Sequence, residues 1–207
     1  MIRLFYFIFS LIFLVGCGVN ERKETKAAPQ EKQLDSAELA AREEAMREAA
    51  EQARIDSITQ THLEADSLKE KHILVDKETC TLYVREDGNT LFSVPVCLGS
   101  GIGQKMRRGD HKTPEGEYKI HSIENASGYT HDFHDGLGKR RAYGNWFFRL
   151  NTPQSTHIGI HGTCFPESVG KRESDGCVRL HNDDLDSLRQ YVSMNMKVII
   201  LPDIVTD

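Results

Sequence analysis

The sequence has no apolar run of the ~20 residues needed to span a bilayer core, no surplus of positive charge, and no glycine or proline between Asp35 and Lys71. Each absence excludes something. Lys and Arg number 26 against 31 Asp and Glu, a net charge of −5, whereas a protein that neutralises nucleic-acid phosphates is normally basic, so no nucleic-acid partner is expected. With 207 residues there is no room for several large domains, and one globular domain with accessories is expected. The stretch from Asp35 to Lys71 lacks helix breakers and is rich in Ala, Glu, Arg, Leu and Gln. It reads as a long helix, with Asp35 and Glu38 placed as a capping box. Leu39, Met46 and Ala53 hint at a heptad, leaving a coiled coil and a solvated single helix both open.

The first residues carry their own pattern. Arg3 supplies a positive charge ahead of Leu4–Val15, a twelve-residue, almost wholly apolar run suited to an export signal. Leu14-Val15-Gly16-Cys17 resembles a bacterial lipobox. That resemblance implies cleavage before Cys17 and lipidation of Cys17, with several acyl chains anchoring the protein to a membrane. An ordinary signal peptide with a chance cysteine, or an uncleaved anchor, is the plainer reading. Gly18 follows Cys17 where an Asp would retain some such proteins at the inner membrane. The expected location is therefore the cell envelope, at the periplasmic face of the outer membrane. Residues 18–33 are polar and aperiodic and read as a tether. The expected organisation is a signal peptide over 1–16, a tether and helical stalk over 17–71, and a catalytic domain over 72–207.

From Ile73 the periodicity changes. Ile73–Val75 and Thr81–Val84 are strand-like, and Asp87-Gly88 makes a hairpin turn to Thr90–Val96. Further strands are expected at Gly116–Ile123, Trp146–Leu150, His157–His161 and Lys197–Leu201. Asn182-Asp183-Asp184 is expected to cap a helix from Leu185 to about Met194. The aperiodic stretch 124–145 reads as a long lid or binding loop, with Tyr129, His131 and His134 as candidates to face a ligand. A Cys80–Cys97 disulfide is one reading of two cysteines beside the hairpin. Two small buried thiols is the other, favoured because the implied register leaves them one residue out of step.

The chemistry concentrates in Ile158-Gly159-Ile160-His161-Gly162-Thr163 and Ser174-Asp175-Gly176-Cys177-Val178-Arg179. A cysteine nucleophile needs a base, oxyanion donors and access. Gly176 lets backbone approach a substrate, and His161 ends a strand, a rigid place from which to present an imidazole. Arg179 is placed to lower the thiol pKa from its free value of ~8.5. Zinc is the rival for His157, His161, Cys164, Cys177 and His181, but a four-residue spacing in a strand does not converge two imidazoles. No metal and no cofactor are expected. Oxidation joining Cys164 to Cys177 is a further possibility, and an inert packed Cys164 is its plain counterpart.

His-Gly-Thr, followed sixteen residues after the His by Cys in Ser-x-Gly-Cys-Val-Arg-Leu, resembles the L,D-transpeptidase (YkuD) domain. So does Thr113-Pro114-Glu115-Gly116 at a strand entry. The resemblance implies a mostly-β, sandwich-like fold with one or two helices. It also implies attack on peptidoglycan stem peptides at the third residue, releasing D-Ala, with the acyl group passing to an amine. Hydrolysis, or attachment or release of a wall-bound lipoprotein, are related outcomes, and a non-catalytic wall-binding lipoprotein is the alternative class. On this resemblance Cys177 is the nucleophile, His161 the base, and the Gly162 carbonyl orients the imidazole. Gly176 and Cys177 N–H form the oxyanion hole, and Ser174 and Arg179 shape the loop and the substrate carboxylate site. Asp175 stands where many members have His, a difference expected to alter the donor or the balance of transfer and hydrolysis. Trp146 and Tyr129 complete the candidate substrate contacts, Trp146 with core packing as its alternative.

Overall fold

The structure, a computed structural model, describes residues 36–153 and 155–203. The export-signal, lipidation and tether readings, and Asp35 of the capping box, lie outside the described residues. Helix α1 (Ser36–Ser67) occupies the stretch without breakers. Residues 36–41 are exposed helix and fall in a separate unit, whereas the described residues from Arg42 onward form one compact unit. Leu39 and Met46, the heptad candidates, are exposed. The later turns behave differently: Ile58 and Ala65 are buried, and the Arg54 guanidinium donates to the Asp203 carbonyl.

After α1 come β1 (His72–Asp76), β2 (Thr81–Glu86), β3 (Asn89–Pro95), β4 (Leu98–Gly99), β5 (Gly116–Asn125), β6 (Thr130–Asp132), β7 (Lys139–Arg141), β8 (Trp146–Leu150), β9 (Gly159–His161), β10 (Arg172–Ser174), β11 (Val178–Arg179), helix α2 (Asn182–Leu188) and β12 (Lys197–Ile200). One curled, eight-stranded sheet runs β11-β9-β8-β5-β12-β1-β2-β3, beside two small two-stranded sheets. The mostly-β fold expected from the sequence is the one found. Asp87 and Gly88 both take positive φ, which is what a tight two-residue hairpin requires.

Ile73, Val75, Leu82, Phe148, Ile160, Val178, Leu180 and Leu185 meet in one core. On the other face of the sheet Leu74, Ile199 and Leu201 pack with Ala65 and Leu68. The C-terminal turn of α1 therefore covers the outer face of β1 and β12. Burial of both faces explains why Ile73-Leu74-Val75 is continuously apolar rather than alternating.

Four expectations need correcting. The stretch 124–145 is not structureless: β5 extends to Asn125 and β6 and β7 pair as a hairpin. The last helix ends at Leu188 rather than near Met194. Its N-cap is His181 with no side-chain cap, because Asn182 Oδ1 instead accepts the Thr163 N–H at 3.1 Å. The apolar alternation over His157–His161 forms strand only from Gly159. Cys80 pairs through its carbonyl with Val96 N–H, one residue out of step with Cys97, and both thiols are free and buried.

A buried ionic cluster fixes the loop between β4 and β5. Lys77 Nζ lies 2.9 Å from Glu115 Oε1 and 2.8 Å from Asp203 Oδ2, and donates to the carbonyls of Thr113 and Gly103. Arg172 also pairs with Asp203. Within the loop, Asp110 accepts from Lys105 Nζ and from the N–H groups of Met106, Arg107 and Lys112. These bonds hold its carboxyl well below the usual carboxylate range. The loop is therefore held by charge and hydrogen bonds rather than by apolar packing.

Candidate active site

Cys177 lies immediately before β11, and β11 runs parallel to β9, with Val178 opposite Ile160 and Arg179 opposite His161. That register puts Cys177 beside the start of β9, where its thiol donates to the His157 carbonyl at 3.4 Å. Ser174 builds the loop: its Oγ donates to the Cys177 carbonyl at 2.6 Å and accepts the Gly176 N–H at 3.0 Å. Gly176 sits at φ +120°, and a Cβ there would lie 2.5 Å from the Lys112 carbonyl oxygen, so no other residue fits without moving the neighbouring loop.

The Gly176–Ser174 bond corrects one expectation. The Gly176 N–H is already committed, so Gly176 and Cys177 do not present two free oxyanion donors. Among the described residues only the Cys177 N–H of that pair has no protein acceptor.

His161, 3% exposed, ends β9 with its Nδ1 2.6 Å from the Gly162 carbonyl. Nδ1 therefore carries the proton, and Nε2 is left as an acceptor. Gly162 is required by space: a Cβ would sit 2.1 Å from Asn182 Oδ1. The imidazole stacks on Phe147, at 5.2 Å between centroids and 10° between planes, with Tyr143 at 4.8 Å on it as well. Phe147 is the register partner of His161 across β8 and β9, which is why the two rings meet.

His161 and Cys177 line the same cavity of about 870 Å³. Burial pushes the His161 pKa down to about 3, with Arg179 and His131 adding to the fall and the Gly162 bond opposing it. Burial also pushes the Cys177 thiol up; the Gly159 N–H, Arg179 and Lys105 oppose that rise without reversing it. Arg179 thus acts in the expected direction but loses to desolvation. The thiol and the imidazole that share this cavity are therefore both biased toward their neutral forms.

The remaining sequence candidates divide. Asp175, Arg179 and Tyr129 line the cavity, as does His131. His134 does not; it points to solvent. Trp146 is also not at the cavity. It packs against the core with the Arg189 guanidinium 4.9 Å from its ring centroid, because strand alternation turns it away from Phe147. Sequence reasoning missed Tyr143, Phe133, Phe165, His111 and Lys105, which also line the cavity. The signal for Phe147 was present in the alternation of β8. Nothing local pointed to His111, which reaches Asp175 across 64 residues.

The model of the L,D-transpeptidase catalytic domain, YkuD, matches residues 70–200. The chain belongs to the L,D-transpeptidase family. It is 31% identical over 134 residues to YqjB of Bacillus subtilis, covering 64% of this chain and 72% of that protein. It is 30% identical over 130 residues to YkuD of the same organism, covering 62% and 65%. Both are assigned by name to the L,D-transpeptidases. Among solved structures, the catalytic domain of the Enterococcus faecium L,D-transpeptidase is similar at 20% identity and TM-score 0.46, over 65% of this chain and 98% of that one. An L,D-transpeptidase from Mycobacterium smegmatis is similar at 22% identity and TM-score 0.47, over 63% and 58%. Family membership makes this chain an enzyme of the peptidoglycan-modifying, transpeptidase type.

Proposed function

We propose that this L,D-transpeptidase is a cysteine acyltransferase that opens peptidoglycan stem peptides at their third residue. The observation that carries the reading is the His161 imidazole, held through Nδ1 by Gly162, facing the same cavity as the Cys177 thiol. As a substrate carbonyl arrives, the S–H proton passes to His161 Nε2 while Sγ bonds to the carbonyl carbon. The C–N bond to the terminal D-Ala then breaks, and the imidazolium returns its proton to the departing amine nitrogen. The Cys177 N–H is the backbone donor available to the developing oxyanion. Arg179 supplies positive charge for a substrate carboxylate, and Tyr129 and Tyr143 give the cavity an aromatic wall.

Because the His161 imidazole is buried and both groups are biased toward their neutral forms, charge separates in the reaction itself, where fixed dipoles beside the imidazole act in a low dielectric. An amine completes the cycle by transfer, giving a cross-link or lipoprotein attachment. Water completes it by hydrolysis, and Asp175, whose side chain is 72% exposed, leaves that side of the cavity open to solvent. Lipidation of Cys17, in this reading, holds the enzyme at the periplasmic face of the outer membrane within reach of the wall.

Incubation of the full chain with tetrapeptide-bearing muropeptides tests the proposal by mass. A protein adduct and loss of D-Ala are expected, both absent in Cys177→Ala. Turnover that survives Cys177→Ala would refute it. A wild type that binds wall fragments without any adduct, and whose Cys177 resists thiol labelling, would identify a wall-binding protein instead.

A further inference from the structure

Asp175 is the one carboxylate among the described residues lining the cavity, whose other charged lining groups are Lys105, Arg108, Arg149 and Arg179. Two of those cations are already engaged: Lys105 by Asp110 at 2.6 Å and Arg149 by Glu124 at 2.7 Å. Asp175 stands two residues before the nucleophile and is 72% exposed. It is nevertheless not a loose surface acid. His111 Nδ1 lies 2.7 Å from its Oδ1, and Arg179 Nη2 lies 3.8 Å from its Oδ2.

The staple from His111 is built into the backbone on both sides. The His111 carbonyl accepts the Gly101 N–H at 2.9 Å, and a Cβ on Gly99 would meet that carbonyl oxygen at 2.4 Å. His111 itself is held at φ +55°, and Gly176 packs directly on the Lys112 carbonyl. Two loops braced on each other thus present one carboxylate at the open side of the cavity. A carboxylate offers about four acceptor positions, so both oxygens keep capacity for a further donor.

Resting on the acyltransferase reading above, we propose that Asp175, positioned by His111, is the acceptor-selecting residue that receives the ammonium group of the incoming amine. The donor stem brings carboxylates to the cleavage point, and a carboxylate repels them. The reactant that is cationic at neutral pH is the acceptor, a primary amine such as that of a diamino-acid side chain. Water carries no charge, so a carboxylate here raises the local concentration of the amine and not of its competitor. The bound ammonium gives one proton to solvent through the open side. The free amine nitrogen then bonds to the thioester carbonyl carbon, the C–S bond breaks, and the second N–H proton passes by way of His161 to Sγ, restoring the thiol.

The test reads how one acyl-enzyme partitions, which does not depend on how fast that acyl-enzyme forms. The full-length enzyme is acylated with a tetrapeptide and offered either lysine amide, which is cationic, or hydroxylamine, which is uncharged at neutral pH. The shares of transfer and hydrolysis are measured by mass. Asp175→Asn is expected to lower the lysine-amide share relative to hydrolysis by about two- to fivefold, the size of one solvent-exposed charge pair, and to leave the hydroxylamine share unchanged. Asp175→Glu keeps part of the preference, and His111→Asn, which tolerates the positive φ, loses part of it. Equal losses for both nucleophiles, or no change for either, overturn the inference. A wild type that forms no acyl-enzyme overturns the acyltransferase reading and this inference with it, whereas an adduct indifferent to residue 175 overturns the inference alone.

Discussion

The neutral resting state of His161 makes a kinetic prediction with a definite sign. An imidazole with the ordinary value of ~6.5 would be about 97% protonated at pH 5, and a base-dependent acylation would run about thirtyfold below its plateau. Burial against Phe147 and Tyr143 instead brings the His161 pKa to about 3, so at pH 5 nearly all of it remains a base. The acylation rate, followed by mass or fluorescence with a carbapenem as the acylating agent, is therefore expected to be flat from pH 5 to 8. The same shift appears in stability. A folded-state pKa below the unfolded value means that the unfolded chain binds more protons between pH ~3 and ~6.5, so stability rises with pH there, by at most about 1.4 kcal/mol per unit from this group. A rate that falls tenfold per pH unit below 6.5 would show that the imidazole is hydrated and titrates normally. The account of a neutral pair would then be wrong.

Other perturbations follow from the same geometry. Phe147→Ala admits water to one face of the imidazole and should move the acid edge of the rate profile upward, toward the ordinary histidine value, without removing the adduct. Lys77→Met strips a fully buried cation from Glu115 and Asp203. Such a loss costs about 3–5 kcal/mol, so thermal melting is expected to fall on the order of 10 °C. Gly162→Ala drives a Cβ into Asn182 Oδ1 and should cost about 1–3 kcal/mol by overpacking. It should also lower acylation, because the carbonyl that holds Nδ1 must shift.

The parts of the site that were legible in the sequence are those fixed by short-range rules. Strand alternation marked the strand that ends at His161, the sixteen-residue spacing to Cys177 was legible only through its resemblance to the L,D-transpeptidase motif, and Ser174 ties its loop locally by bonds to Cys177 and Gly176. What escaped was set by contacts between distant segments. His111 meets Asp175 only because Gly176 rests on the Lys112 carbonyl, and no periodicity encodes that approach. Asn182 reads as a helix cap by composition, yet its side chain is taken by the Thr163 N–H across the site. The thiol pKa required weighing Arg179 against burial, and burial is not readable before the fold exists. The hairpin of β6 and β7 was hidden because Thr130–Asp132 and Lys139–Arg141 are polar strands with little apolar alternation.

The end of α1 packs on the sheet that begins with β1. β1 starts at His72, which makes that residue a natural first position for a soluble fragment. Yet Leu74, Ile199 and Leu201 are only 1%, 2% and 1% exposed, and the residues packed with them include Ala65 and Leu68 from the end of α1 and the turn after it. Arg54 adds a hydrogen bond to the Asp203 carbonyl, next to the cluster that holds Lys77. Cutting at His72 would return much of that apolar surface to water. At about 25 cal/mol per Å², partial exposure of three aliphatic side chains amounts to about 2–4 kcal/mol. A chain beginning at Arg42 is therefore expected to melt on the order of 10 °C above one beginning at His72, with Arg54→Ala in the longer chain costing only about 1–2 kcal/mol. Coincident melting curves for the two fragments would mean that the last turns of α1 are a spacer after all, and that the outer face of β1 and β12 tolerates water.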